Sequence, residues 1–435
     1  MDSPELLAPA GNLRNLRYAL AYGADAVYAG LPRYSLRVRN NDFGSLANLE
    51  AGIQAAHAAA RRFYLAANIL PHDAKVRTFL DDMAPIVDLG PDALIMSDPG
   101  LIALVRERWP ELPVHLSVQA NTMNYAAVRF WQAAGIARVI LSRELSLEEI
   151  EAIRQACPDM ELEVFVHGAL CIAYSGRCLL SGYFNHRDAN QGACTNACRW
   201  QYTLHRSAPD PAGDPVPIPL PASGVHFLEE AERPGELMPI EEDEHGTYIM
   251  NSKDLRAVQH VARLMSVGID SLKIEGRTKS HYYVARTTQV YRRAIDAAAA
   301  GRPFDPSLLG ELENLAHRGY TEGFYRRHAD AETQNYLQAS SQSVRQRFVA
   351  EVGTYDSTTG LAEVEVKNKF AVGDWMELIT PTGNHVFVLE RMESMQGQPL
   401  SEAPGGGWRV RIGVPAARAA TALLAFRTAR PAGDG

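Results

Sequence analysis

The chain has 435 residues, of which 46% are apolar and 22% are charged, and its formal net charge is −8. This length suits a large catalytic domain with a smaller second domain, and the composition is that of an ordinary globular protein whose core needs no disulfide. The acidic balance excludes nucleic-acid binding by overall charge alone, so any RNA contact requires a local basic patch.

The amino-terminal sequence, MDSPELLAPAG, has neither a basic leader nor an apolar run of signal-peptide length. The sequence also lacks any apolar stretch long enough to span a membrane, which takes about 18 residues or more. We therefore predict a cytoplasmic protein. Because structural disulfides are rare in the reducing cytosol, clustered thiols in such a protein indicate metal or redox chemistry.

Short apolar runs alternate with helical patterns through most of the chain. Asn12 suits the N-cap of the first helix, and Ser146 with Glu149 has the spacing of a capping box. Several runs follow a glycine that suits a left-handed helix cap, as at Gly23 and Gly268. The eight strand signals are ELLAP, GADAVYAG, FYLAAN, GPDALIMSD, VHLSVQ, GIARVILSR, LEVFVH and GIDSLKIEGR. Eight strands alternating with helices favour a (β/α)8 TIM-like barrel, with a doubly wound open sheet as the alternative.

The sequence RYSLRVRNN follows the second predicted strand. With a period of two, Arg33, Ser35, Arg37 and Arg39 share one face. Three guanidinium groups on one strand could bind phosphate or carboxylate groups bidentately, which makes Arg37 and Arg39 candidate substrate-binding residues. A solvated edge strand is the alternative interpretation.

Polar residues close almost every predicted strand, and a TIM-like barrel carries its chemistry at these carboxyl ends. The rim residues are Asn68, Ser97, Asp98, Gln119, Arg143, Glu144, His167, Glu275 and Arg277. Each one singly is as well explained by helix capping or a structural hydrogen bond, and Asp98 before Pro99 suits an N-cap. Their convergence on one rim is the stronger indication of a binding site.

Four of the five cysteines lie within 28 residues: Cys171, Cys178, Cys194 and Cys198. Their spacings are C-x6-C, C-x15-C and C-x3-C, which fit the paired C-x2-C knuckles of structural zinc poorly. An iron–sulfur cluster accepts four thiolates with looser spacing, and a cysteine nucleophile is a third possibility. The fifth cysteine, Cys157, is predicted to be a bystander at a helix end.

The domain organisation follows from changes in pattern. A barrel domain is predicted over residues 1–328, interrupted at 168–250 by an insertion that carries the cysteines and a proline-rich loop. Residues 329–346 are polar and are predicted to be a linker. From 347 to 430 the apolar period changes to two, with the turn sequences TPTGN and PGGGW, which predicts a small antiparallel β-barrel.

The chain resembles the collagenase-like peptidase family over nearly its whole length. The segment EVFVHGALCIAYSGRCLLSGY looks like the family's defining motif. The segments ELLAPAG, GADAVYAG, YSLRVRNNDF, MNSKDL, SLKIEGRTKS and HRGYTEGF match the family in order. The resemblance is strongest to the branch with an additional C-terminal barrel, whose members are prephenate-dependent tRNA uridine hydroxylases.

The resemblance implies hydroxylation of carbon 5 of the wobble uridine, position 34 of tRNA, with prephenate as co-substrate and without dioxygen. It also implies a 4Fe-4S cluster on Cys171, Cys178, Cys194 and Cys198. The implied partners are tRNA, iron–sulfur assembly proteins and an electron donor. Ribosomal RNA is an alternative substrate. Peptidase activity is another alternative, although the sequence contains neither H-E-x-x-H nor G-x-S-x-G.

Under this interpretation the rim residues acquire roles. His167 is a candidate for proton transfer to uridine, and Glu275 with Arg277 forms either a catalytic clamp or a structural ion pair. The candidate substrate-binding residues are Gln119, Arg143 and Tyr174, together with Arg37 and Arg39 of RYSLRVRNN. The candidates for stacking on the uridine are Tyr34, Tyr174, Tyr183 and Phe184. The C-terminal barrel, with Lys367, Lys369 and Trp408, could hold the tRNA arm or serve as a packing module.

Overall fold

A computed structural model describes residues 3–36, 41–171, 173–199, 253–326, 346–415 and 421–427, and the backbone of five strands between residues 205 and 248. Arg37 and Arg39 lie outside the described residues, so their predicted role in substrate binding stays a prediction. The predicted linker, 329–346, also lies outside them except for its last residue.

The first 169 residues form seven parallel strands that alternate with six helices. The strands are β1 (Glu5–Pro9), β2 (Ala26–Gly30), β3 (Arg62–Ala67), β4 (Ala93–Met96), β5 (Val114–Leu116), β6 (Arg138–Ile140) and β7 (Glu161–Ala169). The helices are α1 (Leu13–Ala21), α2 (Leu46–Ala58), α3 (Asp73–Val87), α4 (Pro99–Arg108), α5 (Tyr125–Ala133) and α6 (Leu147–Ala156). The strands are almost wholly buried, as expected when helices cover a parallel sheet.

The helix starts agree with the predicted caps. The side chain of Asn12 accepts a hydrogen bond from the backbone N–H of Asn15 at 2.7 Å, and Ser146 forms a reciprocal capping box with Glu149. Asp98 accepts from the backbone N–H of Leu101 at 2.9 Å, so this rim residue caps α4. The capping explanation therefore holds for Asp98.

Short elements follow β7 in the cysteine-bearing insertion. They are α7 (Leu180–Asn185), two 3-10 turns at Ala189–Gln191 and Ala197–Arg199, and strands β8 (His205–Pro209), β9 (Pro215–Pro219), β10 (His226–Glu229), β11 (Leu237–Asp243) and β12 (Gly246–Tyr248). Backbone pairing is antiparallel between β8 and β9 and from β10 through β12.

The chain then completes the barrel. The elements are β13 (Asp254–Arg256), a 3-10 turn (Val258–His260), α8 (Val261–Val267), β14 (Ser271–Ile274), α9 (His281–Ala299), α10 (Ser307–Glu313) and β15 (Tyr320–Thr321). Strand β14 pairs in parallel with both β1 and β7, which closes an eight-stranded barrel. The predicted TIM-like barrel is thus confirmed, and the open-sheet alternative is excluded.

A bulge in β7 changes which way its last residues point. In the pairing of β7 with β14, Phe165 is the partner of Lys273. The next residue of β14, Ile274, pairs with His167 rather than with Val166, so Val166 is an extra residue in β7. Side chains alternate between the two faces of a strand, and an extra residue reverses that alternation. Phe165 therefore faces the barrel interior, whereas His167 turns toward the surrounding helices.

Charged side chains fill the amino-terminal half of the barrel interior. The Arg138 guanidinium lies 2.6 Å from Glu5 and 3.3 Å from Glu163, and its Nε lies 2.8 Å from the more exposed Glu161. Burial favours the neutral form of Glu163, but the charges of Lys273 and Arg138 outweigh it and lower the pKa of this carboxyl. Because an unpaired charge in this interior costs several kcal/mol, the network holds its members in fixed positions.

The C-terminal residues form antiparallel sheets, as predicted. The strands are β16 (Gln346–Asp356), β17 (Leu361–Val366), β18 (Phe370–Ala371), β19 (Trp375–Thr380), β20 (Gly383–Val388), β21 (Met392–Ser394), β22 (Glu402–Ala403), β23 (Arg409–Gly413) and β24 (Leu423–Arg427). Seven of them form one sheet in the order β20-β19-β24-β16-β17-β23-β21, and β18 pairs with β22.

This C-terminal domain packs directly on the barrel helices. The Tyr22 hydroxyl at the end of α1 lies 2.9 Å from the carbonyl oxygens of both Ile379 and Thr421. The buried Arg286 of α9 lies 3.1 Å from the buried Glu377 of β19. Apolar side chains of β19 and β24 belong to the same core cluster as the barrel. Among the helices that the structure describes, none has the length and hydropathy required to cross a membrane.

Candidate functional site

A cavity of about 120 Å³ lies at the carboxyl-terminal end of the barrel. Its walls come from the barrel strands on one side and from the cysteine-bearing segment on the other. The polar lining residues are Asn68, Ser117, Gln119, Arg143, Ser175, Asn190, Asn196, Lys273, Glu275 and Arg277, and the aromatic ones are Tyr28, Phe165 and Tyr174. This is the position at which TIM-like barrels carry their active sites.

All four clustered cysteines, Cys171, Cys178, Cys194 and Cys198, line this cavity. Four thiols are a donor set that suits an iron–sulfur cluster. Across the described ranges, however, no three Cys, His, Asp or Glu side chains lie close enough together to hold one metal ion in this structure. Cys157, by contrast, is buried at the end of α6 and contacts the carbonyl of Tyr125 at 3.6 Å.

The cysteine-bearing segment contacts the barrel rim at two places. At Gly176, which has a φ of +74°, a Cβ atom would lie 2.2 Å from the carbonyl oxygen of Gln119. Only glycine permits both this backbone conformation and this close approach. Farther along the segment, the Asn190 carbonyl accepts a hydrogen bond from the backbone N–H of Leu70 at 3.0 Å. These contacts place the thiols beside the rim.

Arg277 and Arg143 both line the cavity, and each is held by a hydrogen bond. Arg277 is 6% exposed and donates to the Ser35 hydroxyl at 2.7 Å. Arg143 donates to the carbonyl of Ala169 at 2.9 Å, and its guanidinium carbon lies 3.9 Å from the centre of the Phe165 ring. A guanidinium group whose face is stacked on a ring keeps its edge N–H groups suited to a planar anion.

Glu275 is the carboxylate among the described lining residues. It accepts a hydrogen bond from the Tyr28 hydroxyl at 3.0 Å, and that hydroxyl lies at the same distance from the carbonyl oxygen of Ile274. Burial, and next the charge of Glu275, raise the pKa of Tyr28 well above its usual value. Tyr28 therefore remains a hydrogen-bond donor to Glu275 at neutral pH.

Lys273 forms the floor of the cavity, and the sequence interpretation did not select it. The residue lies in the middle of β14 and is 3% exposed. Its ammonium lies 2.7 Å from Glu163, 4.5 Å from the Tyr28 ring centre and 5.4 Å from the Phe165 ring centre. The sequence feature that could have identified Lys273 is its position in the middle of the apolar run SLKI, because a buried lysine requires a charged or polar partner.

The structure does not bring His167 to the cavity. Its ring is 1% exposed and packs outside the barrel among Tyr283, Tyr291 and Tyr320, with Nδ1 3.4 Å from the Tyr291 hydroxyl. Burial lowers the pKa of His167 to about 3, so the ring is neutral near neutral pH. The bulge at Val166 is the physical reason, since strict alternation would have pointed His167 inward with Phe165.

The described part of RYSLRVRNN is a turn, which corrects the predicted strand. The backbone N–H groups of Tyr34 and Ser35 both donate to the carbonyl of Leu31. Arg33 lies outside the cavity and pairs with Asp82 at 2.7 Å. Ser35 is buried beside Arg277, so this segment supports the cavity wall rather than presenting an arginine face in its described part.

The stacking candidates separate into buried and exposed residues. Tyr34 is 2% exposed, donates to Asp82 and packs edge-on against Phe79, so it does not reach the cavity. Tyr174 lines the cavity and is 52% exposed. Tyr183 and Phe184 of α7 are also exposed, and their ring centres are 5.5 Å apart. Among the stacking candidates that the structure describes, Tyr174 is the one that lines the cavity.

The remaining rim and C-terminal candidates have structural partners. Ser97 is buried and donates to the carbonyl of Asn68 at 2.9 Å, and Glu144 accepts from Ser142. In the C-terminal domain, Lys369 lies 2.7 Å from Glu402, and Lys367 pairs with Glu365. These contacts do not test whether the C-terminal domain holds RNA.

Two family models match the chain. Residues 11–335 match the model described as peptidase family U32, and residues 344–425 match its C-terminal domain. The chain belongs to peptidase family U32. The resemblance to the collagenase-like peptidases is thereby confirmed, and the U32 barrel model covers the strands and thiols that form the cavity.

Curated U32 relatives are similar to this chain over most of its length. A protein of Escherichia coli named tRNA hydroxylation protein P is 62% identical, over 95% of this chain and 94% of the relative. Its namesake from Haemophilus influenzae is 57% identical, over 95% of this chain and 93% of the relative. The 23S rRNA 5-hydroxycytidine C2501 synthase of Escherichia coli is 32% identical, over 74% of this chain and 45% of the relative.

Proposed function

We propose that this U32 protein hydroxylates tRNA, at carbon 5 of the wobble uridine, with prephenate as co-substrate and without dioxygen. The observation that carries the proposal is the 62% identity, over 95% of the chain, to a protein named for tRNA hydroxylation. The cavity supports it, because four thiols, three cationic side chains and one carboxylate meet there among the described residues.

Cys171, Cys178, Cys194 and Cys198 would hold an iron–sulfur cluster, which supplies electron-transfer or Lewis-acid chemistry when bound. All four residues line the same cavity, and their all-thiol donor set suits iron and sulfide. A local rearrangement of the segment must bring the thiols closer together than they are here, since the described side chains form no metal-binding group.

Glu275 takes the place of His167 as the proposed proton acceptor. Replacing the hydrogen on carbon 5 by a hydroxyl is a two-electron oxidation, for which the co-substrate would donate the oxygen atom and accept the two electrons. The hydrogen leaves carbon 5 as a proton, and a base is required to take it up. Glu275 lies in the cavity wall, and the hydroxyl of Tyr28 holds it at 3.0 Å. The neutral, enclosed His167 is out of reach of a cavity ligand. Arg143 and Arg277 are placed to bind anionic groups of the substrates.

The exposed aromatic residues at the mouth fit single-stranded RNA. Enzymes that modify a base in RNA take it out of the stack and bind it between aromatic or apolar groups. Tyr174 lines the cavity and is positioned to contact an inserted uracil. Tyr183 and Phe184 are exposed on α7 of the same cysteine-bearing insertion and suit the flanking bases.

Ribosomal RNA is the second candidate substrate, because one U32 relative is named as a 23S rRNA 5-hydroxycytidine synthase. That relative is less similar, and this chain covers 45% of it, so tRNA remains the primary proposal. The family's description as a peptidase family favours peptidase activity, but the cavity does not support it. A cysteine nucleophile requires a neighbouring base such as histidine, and the described lining of the cavity contains no histidine.

The test is mass spectrometry of tRNA nucleosides from cells with and without the gene, grown with and without oxygen. We expect the deletion to remove 5-hydroxyuridine and its derivatives, most completely without oxygen. The wild-type gene should restore them, as should Cys157→Ala, whereas Cys171→Ala and Glu275→Gln should not. If the deletion leaves the tRNA profile unchanged in both conditions, the tRNA assignment is wrong, and ribosomal RNA nucleosides are measured next.

A further inference from the structure

The charges that line the cavity do not balance. Arg143, Lys273 and Arg277 are cationic, and among the lining residues that the structure describes only Glu275 is anionic. Beneath the lining, Glu163 offsets the charge of Lys273 at 2.7 Å. Among these described groups one positive charge is therefore in excess around the cavity, and such an environment favours an anionic ligand.

The positions of these cations differ in depth. Lys273 lies inside β14, two residues before Glu275, which corresponds to about 6–7 Å along a strand. The lysine is 3% exposed, and the rings of Tyr28 and Phe165 flank its ammonium. Glu163 holds the ammonium from the side of the barrel core. Lys273 nevertheless lines the cavity, so its ammonium is a cation that lies deeper in the barrel than the two arginines, which follow the ends of their strands.

The depth of the floor determines which anion fits. A nucleotide that enters a modification site does so base first, and its phosphates remain with the polynucleotide at the mouth. A phosphate of tRNA therefore does not reach Lys273. A small acid that binds before the nucleotide can place a carboxylate there, where the ammonium forms a charge-assisted hydrogen bond.

We propose that Lys273 contacts the small-molecule co-substrate directly, binding one of its carboxylates at the cavity floor beneath the uracil. This inference rests on the proposed function, since it assigns a residue to the acid that the hydroxylation would consume. It predicts that the acid binds before tRNA, because a uracil in the cavity blocks the route to the floor. A second carboxylate of the acid would then lie near the guanidinium groups of Arg143 and Arg277, which line the same cavity.

Titration of the anaerobically purified protein with prephenate tests the inference. Lys273→Met keeps the length of the side chain and removes its charge, and we expect the Kd for prephenate to rise about 10- to 100-fold, the loss typical of one hydrogen bond to a charged group. Titration with an anticodon-arm oligonucleotide should give the same Kd for both proteins. Lys253→Met, which lies beside Gly319 and outside the cavity, serves as the control.

A second variant separates binding from folding. Lys273→Met leaves Glu163 buried without its closest cation, so the double variant Lys273→Met with Glu163→Gln restores a neutral pair. The double variant should fold and should show the same loss of prephenate affinity. The visible absorbance of bound iron is measured for every protein.

The outcomes are distinct. Equal prephenate affinity in wild type and both variants overturns the role of Lys273 and leaves the proposed function standing. Loss of oligonucleotide binding in Lys273→Met, with prephenate binding unchanged, identifies an RNA phosphate as the ligand and also overturns it. Loss of bound iron from both variants shows that the cations serve the thiolates instead. If wild type binds no prephenate, the inference and the prephenate part of the proposed function fall together.

Discussion

Gly30→Ala tests whether the wall that holds Arg277 is as tightly packed as the structure indicates. Gly30 ends β2, and a Cβ atom there would lie 1.9 Å from Nη1 of Arg277 and 2.4 Å from the Ser35 hydroxyl. An ordinary contact is about 3.5–4.0 Å, so one of these groups must move by more than 1 Å. The end of the arginine side chain moves most easily, and its movement breaks the bond to Ser35.

The cost follows from those contacts. A net hydrogen bond contributes about 0.5–1.5 kcal/mol, and overpacking a filled interior costs about 1–3 kcal/mol. Because Arg277 relieves part of the clash, we expect the free energy of unfolding to fall by about 1–3 kcal/mol. The displacement of a cavity cation should reduce tRNA modification more than this change in stability explains.

Urea unfolding monitored by tryptophan fluorescence measures the free energy, and nucleoside mass spectrometry measures modification. Gly310→Ala is the matched control, because Gly310 lies within α10 and a Cβ atom there meets nothing within 4 Å. Alanine in a helix interior is favoured over glycine by about 0.5–1 kcal/mol, so this variant should be slightly stabilised and fully active. The argument fails if Gly30→Ala matches Gly310→Ala in both stability and modification.

Two further predictions concern the mouth and the domain contact. Tyr183→Ala and Phe184→Ala should each weaken binding of a single-stranded anticodon loop by about 1–3 kcal/mol in a filter-binding assay. Phe130→Ala, equally exposed but on α5, should leave the Kd unchanged, and an equal effect of all three would exclude specific stacking. Burial favours the neutral form of Glu351, but the hydrogen bond and charge of His281 outweigh it and lower the pKa of Glu351 to about 2. The resulting stability is present above the unfolded pKa of about 4.3 and is lost as the pH falls toward 2. The free energy of urea unfolding should therefore depend less on pH in that window for Glu351→Gln than for wild type. Parallel pH curves for the two proteins would refute the assignment.

The barrel was predictable because local rules and tertiary structure agree. Buried parallel strands are continuous apolar runs, and the helices between them carry caps such as Asn12 and Ser146 that the sequence displays directly. The rim was therefore recognisable from strand ends alone. The cavity contains Gln119, Arg143, Glu275 and Arg277 together with the thiols, as the convergence of the strand ends on a single rim had indicated.

What the sequence could not reveal depends on register. The amino-acid sequence of an apolar strand does not show which residue is the extra one of a bulge. The extra residue, Val166, turns His167 away from the cavity and leaves Phe165 inside the barrel. Lys273 was missed for the complementary reason. Its charge is offset by Glu163 on the neighbouring strand, and that pairing emerges only when the eighth strand returns to close the barrel.

The packing of the C-terminal sheet on α1 and α9 has a consequence for how the molecule denatures. Ile379, Leu423 and Ala425 belong to the barrel's own apolar core, and the buried pair of Arg286 with Glu377 crosses the same boundary. Separating the two domains would expose that apolar surface and break this pair, leaving Arg286 with Glu311 at 3.6 Å and Glu377 with Arg427 at 2.9 Å. We therefore expect the barrel and the C-terminal sheet to unfold together as one cooperative unit. A relative that lacks the sheet needs polar residues in place of the apolar ones on the exposed faces of α1 and α9.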